Sequence, residues 1–290
     1  MKKKRIGIIG KGFVGSAVLN GFSANVGCDA ETRVYDKDPL RSLNTLEDTV
    51  NNSDFVFISV PTPSFVSGGI DLSILENAIN DISEVSNNHD TIFLIRSTII
   101  PGTTRALQKK FTNLKLVFNP EFLTERSANF DFINQSRSIF GGEKEHTKKV
   151  AELFRWRFGN SLSILETDFE SAELIKYMAN TFFATKLSFL NDMKILSDNC
   201  KANWNDVIDG FVQDGRIGHS HLNVPGHDGK LGFGGVCFPK DIQAIIHYAE
   251  SLGLEMSVLK GAWETNLKVR PEKDWESLTG RAVSKGKNSA

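Results

Sequence analysis

The run RIGIIGKGFVG, residues 5–15, limits the choice of fold more than any other stretch of the chain. A short apolar segment, 5–9, ends at Gly10, and Gly10, Gly12 and Gly15 form G-x-G-x-x-G before the helical pattern FVGSAVLNGF. The spacing has a physical logic between a strand and a helix. The first glycine permits the tight turn, the second lets a pyrophosphate approach the backbone, and the third lets helix and strand pack closely. The phosphates then meet the free N–H groups of the helix start, at Phe13 and Val14 in this sequence. Asp36 ends the next strand-like run, 32–36, and stands 21 residues after Gly15. An acidic side chain there accepts the ribose hydroxyls of NAD and repels a 2′-phosphate. Lys37 beside it weakens that preference without reversing it, so NAD is the expected cofactor.

The rest of the first half repeats this alternation. Apolar runs at 53–61, 91–98, 114–122, 136–142 and 161–166 read as strands. Between them, 71–85 has Leu72, Leu75, Ile79 and Ile82 on one helical face with Asp71 as cap, and 145–158 reads as another helix. Near-continuous apolar strands alternating with helices predict a parallel, doubly wound α/β sheet covered on both faces. This is a Rossmann-type domain over 1–166.

From Asp168 the texture changes. Residues 171–200 contain no glycine or proline and keep a helical period, which predicts one helix of roughly 50 Å. Further helical patterns at 204–214, 239–253 and 257–269 predict a helical domain over 167–275, joined to the first by the long helix. The tail, 276–290, ends SKGKNSA and reads as disordered.

Composition removes several classes of function. The 34 basic and 35 acidic residues leave a net charge of -1, against the basic excess of a nucleic-acid footprint. No apolar run reaches the roughly 18 residues of a membrane span, and the lysine-rich start runs straight into the glycine motif rather than a secretory signal. Cys28, Cys200 and Cys237 are odd in number and widely spaced, which argues against a disulfide framework or a zinc site. A reducing, cytoplasmic setting is expected. His219, His221 and His227 share one loop but lack a carboxylate or thiol at ligand spacing, so no metal is expected.

Polar residues collect where such sheets bind ligands, at the C-terminal ends of strands. VPTP (Val60, Pro61, Thr62) and RSTIIPGTT (with Ser97 and Thr98) are two such loops. NPEFLTE offers Glu121, Phe122, Leu123 and Glu125. Lys176 and Asn180 stand four apart on the long helix, hence on one face, and both are donors suited to an oxyanion. By spacing alone Lys176 reads as a solvated lysine, as a lysine on a helix usually is. Arg216, in RIG, suits a phosphate or plain solvent. GFGGVCFPKD, 232–241, sets Cys237 in a glycine-rich turn four residues before Asp241.

These motifs, in this order, resemble the nucleotide-sugar (UDP-glucose/GDP-mannose) 6-dehydrogenase family over residues 1 to about 270. The resemblance implies a four-electron oxidation of the sugar C6 hydroxymethyl, UDP-glucose to UDP-glucuronate in the leading reading, using two NAD. It makes Cys237 the nucleophile, passing through a thiohemiacetal and a thioester. Asp241 and Thr98 would handle the hydrolytic water, Lys176 and Asn180 the oxyanion, and Glu125 a further proton. Glu121, Phe122, Leu123, Arg216, Phe233, Gly234 and Lys240 would contact the substrate. Gly10, Gly12, Phe13, Val14, Gly15, Asp36, Val60, Pro61, Thr62, Ser97 and Thr98 would hold NAD. Lys240 and a helix opening near Pro239 would both favour the Cys237 thiolate.

The resemblance also implies a homodimer through the long helix, with Leu174, Met178, Phe182, Leu187 and Leu190 available for it. Such families usually continue into a third domain that binds the substrate's nucleotide, and that domain is not expected in this sequence. The segment from Asp36 to Ser53 reads as shortened and the loop 219–232 as lengthened. Alternatives are another sugar such as GDP-mannose, a two-electron hydroxyacid dehydrogenase, or a non-catalytic NAD-binding subunit.

Overall fold

The computed structural model describes residues 3–285. The chain divides into two compact units, one of residues 1–62 and 72–176, the other of 63–71 and 177–290.

The first unit is built on a sheet ordered β2-β1-β3-β4-β5-β6-β7. Its strands are β1 (Arg5–Ile9), β2 (Glu31–Tyr35), β3 (Phe55–Ile58), β4 (Ile92–Ile95), β5 (Lys115–Phe118), β6 (Arg137–Gly142) and β7 (Ser163–Thr167). Strands β3 and β4 are buried at every position, as the near-continuous apolar runs predict. The sheet is not wholly parallel. β6 meets β5 antiparallel, through Val117↔Gly142 and Phe118↔Gly141, and β7 then pairs parallel to β6. A short helix rather than a full crossover joins β5 to β6, so the chain re-enters in the opposite direction.

Helices α1 (Phe13–Gly21), α2 (Leu46–Asn51), α3 (Ser73–Val85), α4 (Thr103–Lys110), α5 (Ala128–Ile133) and α6 (Lys144–Phe158) cover both faces. On one face phenylalanine dominates. Phe22 and Phe57 lie 5.6 Å apart between ring centroids, Phe57 and Phe154 6.3 Å, and Phe140 and Phe154 4.8 Å in an edge contact. Rings at such spacings add to the burial of their area, and they account for much of the chain's phenylalanine. On the other face Leu75, Ile79 and Ile82 of α3 are fully buried. Asp71 does not cap α3. Leu72 occupies that position, and the Asp71 carboxylate instead accepts from Ser284 Oγ within the second unit.

Helix α7 (Phe169–Asn199) is a single helix of 31 residues, and the division between units falls inside it, after Lys176, rather than at 166. The second unit adds α8 (Trp204–Val212), α9 (Cys237–Ser251) and α10 (Ser257–Val269). Ala184, Phe233, Ile242 and Ala262 form its small buried core.

The tail corrects the expectation of disorder from 276 onward, as far as residue 285. Trp275 is buried with its ring 5.4 Å from Trp263, Ser64 pairs with Val283, and Ser284 N donates to Ser64 O at 2.8 Å. Residues 286–290 lie outside the described residues.

Candidate active site

In the first unit the candidate residues gather at the C-terminal ends of the parallel strands. β1 leads to β2 on one side while β3 lies on its other side, so the glycine loop opens at the reversal of strand order, where open α/β sheets bind ligands. Gly10 has φ +87 and a Cβ there would lie 2.6 Å from Ser59 O, so only glycine fits between the ends of β1 and β3. A Cβ on Gly15 would lie 1.9 Å from Gly10 O. Gly12 differs, with nothing within 4 Å of its Cβ position. That open space sits at the N-cap of α1, which has no side-chain cap and no acidic residue in its first turn. Unsatisfied N–H groups facing an uncrowded backbone suit a pyrophosphate. Asp36 follows β2, and its carboxylate accepts from Lys11 N at 2.6 Å and Asp38 N at 2.9 Å. Each oxygen keeps lone-pair capacity for a hydroxyl. The residues present therefore fit NAD.

The loops after β3 and β4 brace each other. Thr62 Oγ1 donates to Thr98 O at 2.7 Å and Ser97 Oγ to Val60 O at 2.6 Å. Thr62 and Ser97 are thereby buried, while Val60 and Thr98 stay partly exposed and Pro61 exposed.

After β5, Glu121 is buried, and Lys176 Nζ donates to its carboxylate at 2.9 Å and to its backbone carbonyl. Leu123 N donates to the other carboxylate oxygen at 2.7 Å, and the Lys176 ammonium lies 5.4 Å from the Phe122 ring. Lys176 is thus a buried, paired cation, not a solvated lysine. Two residues that the sequence reading missed support this turn. The buried Arg96, directly after β4, donates to the Asn119 side chain, and Asn119 donates to Ile139 O at 3.0 Å. Burial pulls the Arg96 pKa down to about 10. The only signal was a charged residue ending a wholly apolar strand. Glu125 is exposed at the start of a short 3-10 turn.

In the second unit Cys237 is itself the first residue of α9, ahead of Pro239, and is partly exposed. One turn on, Asp241 is 1% exposed. Asn180 Nδ2 donates to its Oδ2, and Lys240 Nζ donates to its Oδ1. Asn180 and Lys176 thus each donate to a carboxylate. Lys240 is likewise buried, paired with Asp241.

The glycine turn before Cys237 also departs from expectation. Phe233 is 3% exposed, and Asn266 engages both its N–H, at 2.7 Å, and its carbonyl, at 3.0 Å. A Cβ on Gly234 would sit 2.7 Å from the Arg270 guanidinium. The Phe233 side chain is therefore core, and the missing Gly234 side chain makes room for Arg270. Gly235, at φ +74 with nothing within 4 Å, is the open position. Asn191 Oδ1 accepts from Gly232 N at 2.9 Å. Asn191 and Asn266, fully buried in α7 and α10, are the residues that shape this turn. A buried asparagine within an amphipathic helix was the available signal.

Arg216 is exposed and paired with Asp214, at 2.5 Å. The loop after it is clipped to α7, where Lys186 Nζ donates to the carbonyls of Gly218 at 3.0 Å and Ser220 at 2.7 Å. His221 stacks on Phe183 at 4.0 Å and lies 5.4 Å from Phe238, the neighbour of Cys237. Burial, with a smaller push from Lys186, holds the His221 pKa down. His227 lines a groove of about 740 Å³ with Trp204, Ile208 and Pro225. No cluster of three or more metal-ligating side chains occurs among the described residues. No helix among them is long and apolar enough to cross a membrane.

Comparison with known proteins agrees with this geometry. Residues 27–156 match the NAD binding domain of the UDP-glucose/GDP-mannose dehydrogenase family, and residues 170–268 match its central domain. A UDP-glucose 6-dehydrogenase of Haloferax volcanii is 30% identical over 98% of this chain and 74% of its own length. The chain belongs to the UDP-glucose/GDP-mannose dehydrogenase family. It is 32% identical to the UDP-glucose 6-dehydrogenase TuaD of Bacillus subtilis over 92% of this chain, and spans 64% of that relative. Among solved structures, a UDP-glucose dehydrogenase from Pyrobaculum islandicum aligns with TM-score 0.78 and 28% identity, covering 92% of this chain and 68% of that one.

Proposed function

We propose that the protein oxidises the C6 hydroxymethyl group of a nucleotide sugar to a carboxylate, with NAD as oxidant and Cys237 as covalent catalyst. The observation that carries the reading is local to α9. A partly exposed thiol occupies the first position of a helix, one turn from a buried carboxylate held by an amide and an ammonium. When bound, NAD supplies the hydride acceptor for two successive oxidations. The alcohol loses a hydride and a proton to become an aldehyde. Cys237 Sγ adds to the aldehyde carbon, giving a thiohemiacetal, whose oxidation yields a thioester. Water adds to the thioester carbonyl, the C–S bond breaks, and the carboxylate product is released with Cys237 regenerated as the thiol. The N-terminus of α9 favours a thiolate and an oxyanion near Cys237. Asp241 orients the water and takes its proton, and Asn180 and Lys240 keep that carboxylate in place. Covalent capture retains a reactive aldehyde that would otherwise escape.

In the first unit, Lys176 is the cation for the substrate oxygen, set by Glu121. Phe122 and Leu123 complete the turn that presents it, and Thr98 and Glu125 are secondary candidates for proton transfer. Gly12, Phe13 and Val14 serve the pyrophosphate and Asp36 the ribose, with Val60 to Thr62 and Ser97 along the crevice. UDP-glucose is the leading substrate, as in the named relatives.

The partner we infer is a second copy of the chain. On α7, Leu174, Met178, Phe182, Phe189, Met193 and Leu196 are exposed along one stripe. Of the residues the sequence offered for this role, Leu187 and Leu190 turn inward instead. Three cysteines outside any disulfide suit the cytoplasm.

The reading is tested by incubating purified protein with NAD and, separately, UDP-glucose, GDP-mannose and a UDP-N-acetylhexosamine. Two NADH per sugar consumed, with a uronate as product, is the expected result for one of them. One NADH per sugar with an aldehyde product would contradict the thioester stage. NADH binding without turnover of any sugar would contradict the enzymatic reading.

A further inference from the structure

The segment 97–104 carries Ser97 and Thr98 and runs into α4. That helix has no side-chain cap of its own, and its N-cap, Gly102, has φ 92. The missing acceptor comes from α7. Glu173, fully buried, accepts from Gly102 N at 2.6 Å through Oε2, and from Thr104 N at 2.8 Å and Thr104 Oγ1 at 2.6 Å through Oε1. Glu173 lies three residues before Lys176, so one turn of α7 grips the loop after β4 with one side chain and the loop after β5 with the next.

A buried carboxylate with three donors is poised between two demands. The donors favour the charged form and burial the neutral one. Burial prevails here, and the Glu173 pKa is pushed up to about 7, with a small further push from Glu170 on the preceding turn. Glu170 itself pairs with Arg105 of α4, and Asp168 and Glu143 also act on that arginine. Lys176, on the next turn of α7, is paired with Glu121. The two oxygens of Glu173 are not equivalent toward a proton. Oε2 faces an N–H, which cannot accept. Oε1 faces the Thr104 hydroxyl, which can rotate and accept. A proton on Oε1 therefore turns the Thr104 hydroxyl bond round and weakens Oε1 as the acceptor for Thr104 N–H. The clamp on 102–104 is strongest when Glu173 is ionised, because all three donors then meet a charged acceptor.

We propose that Glu173 is a positioning residue for the dinucleotide site, its carboxylate fixing 102–104 to α7 and thereby setting Ser97 and Thr98 at the crevice. The inference rests on the reading of those two residues as cofactor contacts. Its test is NADH binding to the full chain, followed by nicotinamide fluorescence across neutral pH, which needs no sugar and no turnover. Wild-type affinity falls as pH drops through the Glu173 midpoint. Glu173→Gln weakens binding about tenfold at high pH, the loss expected of a hydrogen bond to a charged group, and removes the step. Thr104→Val takes one donor from the anion and moves the midpoint upward. If Glu173→Gln does not fold, Thr104→Val decides, and an unmoved midpoint overturns the proposal. A Glu173→Gln protein that melts earlier but binds NADH with unchanged affinity and pH dependence also overturns it, leaving Glu173 a purely structural cap. Wild-type protein that binds no NADH at any pH overturns the cofactor reading together with the inference.

Discussion

Asn180 on α7 donates a hydrogen bond to Asp241 on α9, and Asp241 is otherwise bound by its own neighbour Lys240. One carboxylate, almost wholly buried, is thereby fixed one helical turn after Cys237. A buried charge without partners costs several kcal/mol. The arrangement makes sense of the motif GFGGVCFPKD, since Lys240 and Asp241 serve each other while Cys237 is partly exposed and Gly235 has open space at its Cβ position.

The two glycines of the dinucleotide loop separate a packing role from a binding role. Gly15→Ala drives a Cβ to 1.9 Å from Gly10 O and is expected to destabilise the first unit by more than about 3 kcal/mol. Gly12→Ala meets no protein atom within 4 Å. Its stability is expected within about 0.5 kcal/mol of wild type, while NADH affinity falls about tenfold or more because the added methyl occupies the phosphate's approach. Denaturant melts and NADH titration of the two variants check this. Equal NADH affinity in Gly12→Ala and wild type would remove the pyrophosphate from this loop.

The buried pair Lys176–Glu121 carries a stability signature of its own. Glu121→Leu leaves the Lys176 ammonium buried without its carboxylate and is expected to cost about 3–5 kcal/mol. Adding Lys176→Met to it is expected to restore much of that loss, while sugar oxidation stays abolished. Urea denaturation of the single and double variants decides the point. A double variant no more stable than the single one would show that the pair is not energetically coupled.

Glu173 makes stability depend on pH in a direction opposite to that of an ordinary paired carboxylate. Its folded pKa, about 7, lies above the value 4.5 of the free side chain. The folded state therefore holds the proton more tightly. The associated stabilisation is full below pH 4.5 and is lost as pH rises through about 7. The loss is on the order of 3 kcal/mol. Wild-type protein is expected to resist urea better at the acid end of this window than above it, and Glu173→Gln to show a flatter dependence. An identical slope in both proteins would assign the effect elsewhere. If Glu173 acts as inferred, the form that sets the cofactor loop is the less stable one, a trade expected of functional positions.

Much of this was legible because it is local. The strand–glycine–helix junction, the apolar strands and the helix from 169 to 199 are written in short-range periodicity. What was hidden depends on contacts distant in sequence. The reversal at β6, the pairing of Ser64 with Val283, and the burial of Trp275 against Trp263 leave no local trace. The same holds within the site. Glu173 reads in sequence as one more solvated glutamate on a helix, and only the fold places Gly102 and Thr104 on it. Phe233 and Gly234 stand close to Cys237 in sequence, but their conformation and side-chain space are set by Asn266 and Arg270, more than thirty residues away.

The stripe on α7 predicts the state of assembly. Met178 and Phe182 are 70% and 63% exposed, one turn apart. Met178→Glu with Phe182→Glu is expected to convert a dimer to a monomer in light scattering after size exclusion, with little change in melting. A wild-type protein that is already monomeric at micromolar concentration would contradict the inferred partner.

The most direct measurement is the mass of the Cys237-bearing peptide after acid quench of a reaction with NAD and the active sugar. Asp241→Asn should slow hydrolysis of the thioester and let it accumulate. The account predicts a uronyl adduct on Cys237 that hydroxylamine removes, and no turnover in Cys237→Ala. Formation of uronate with Cys237 unmodified throughout, and with Cys237→Ala turning over at the wild-type rate, would contradict it.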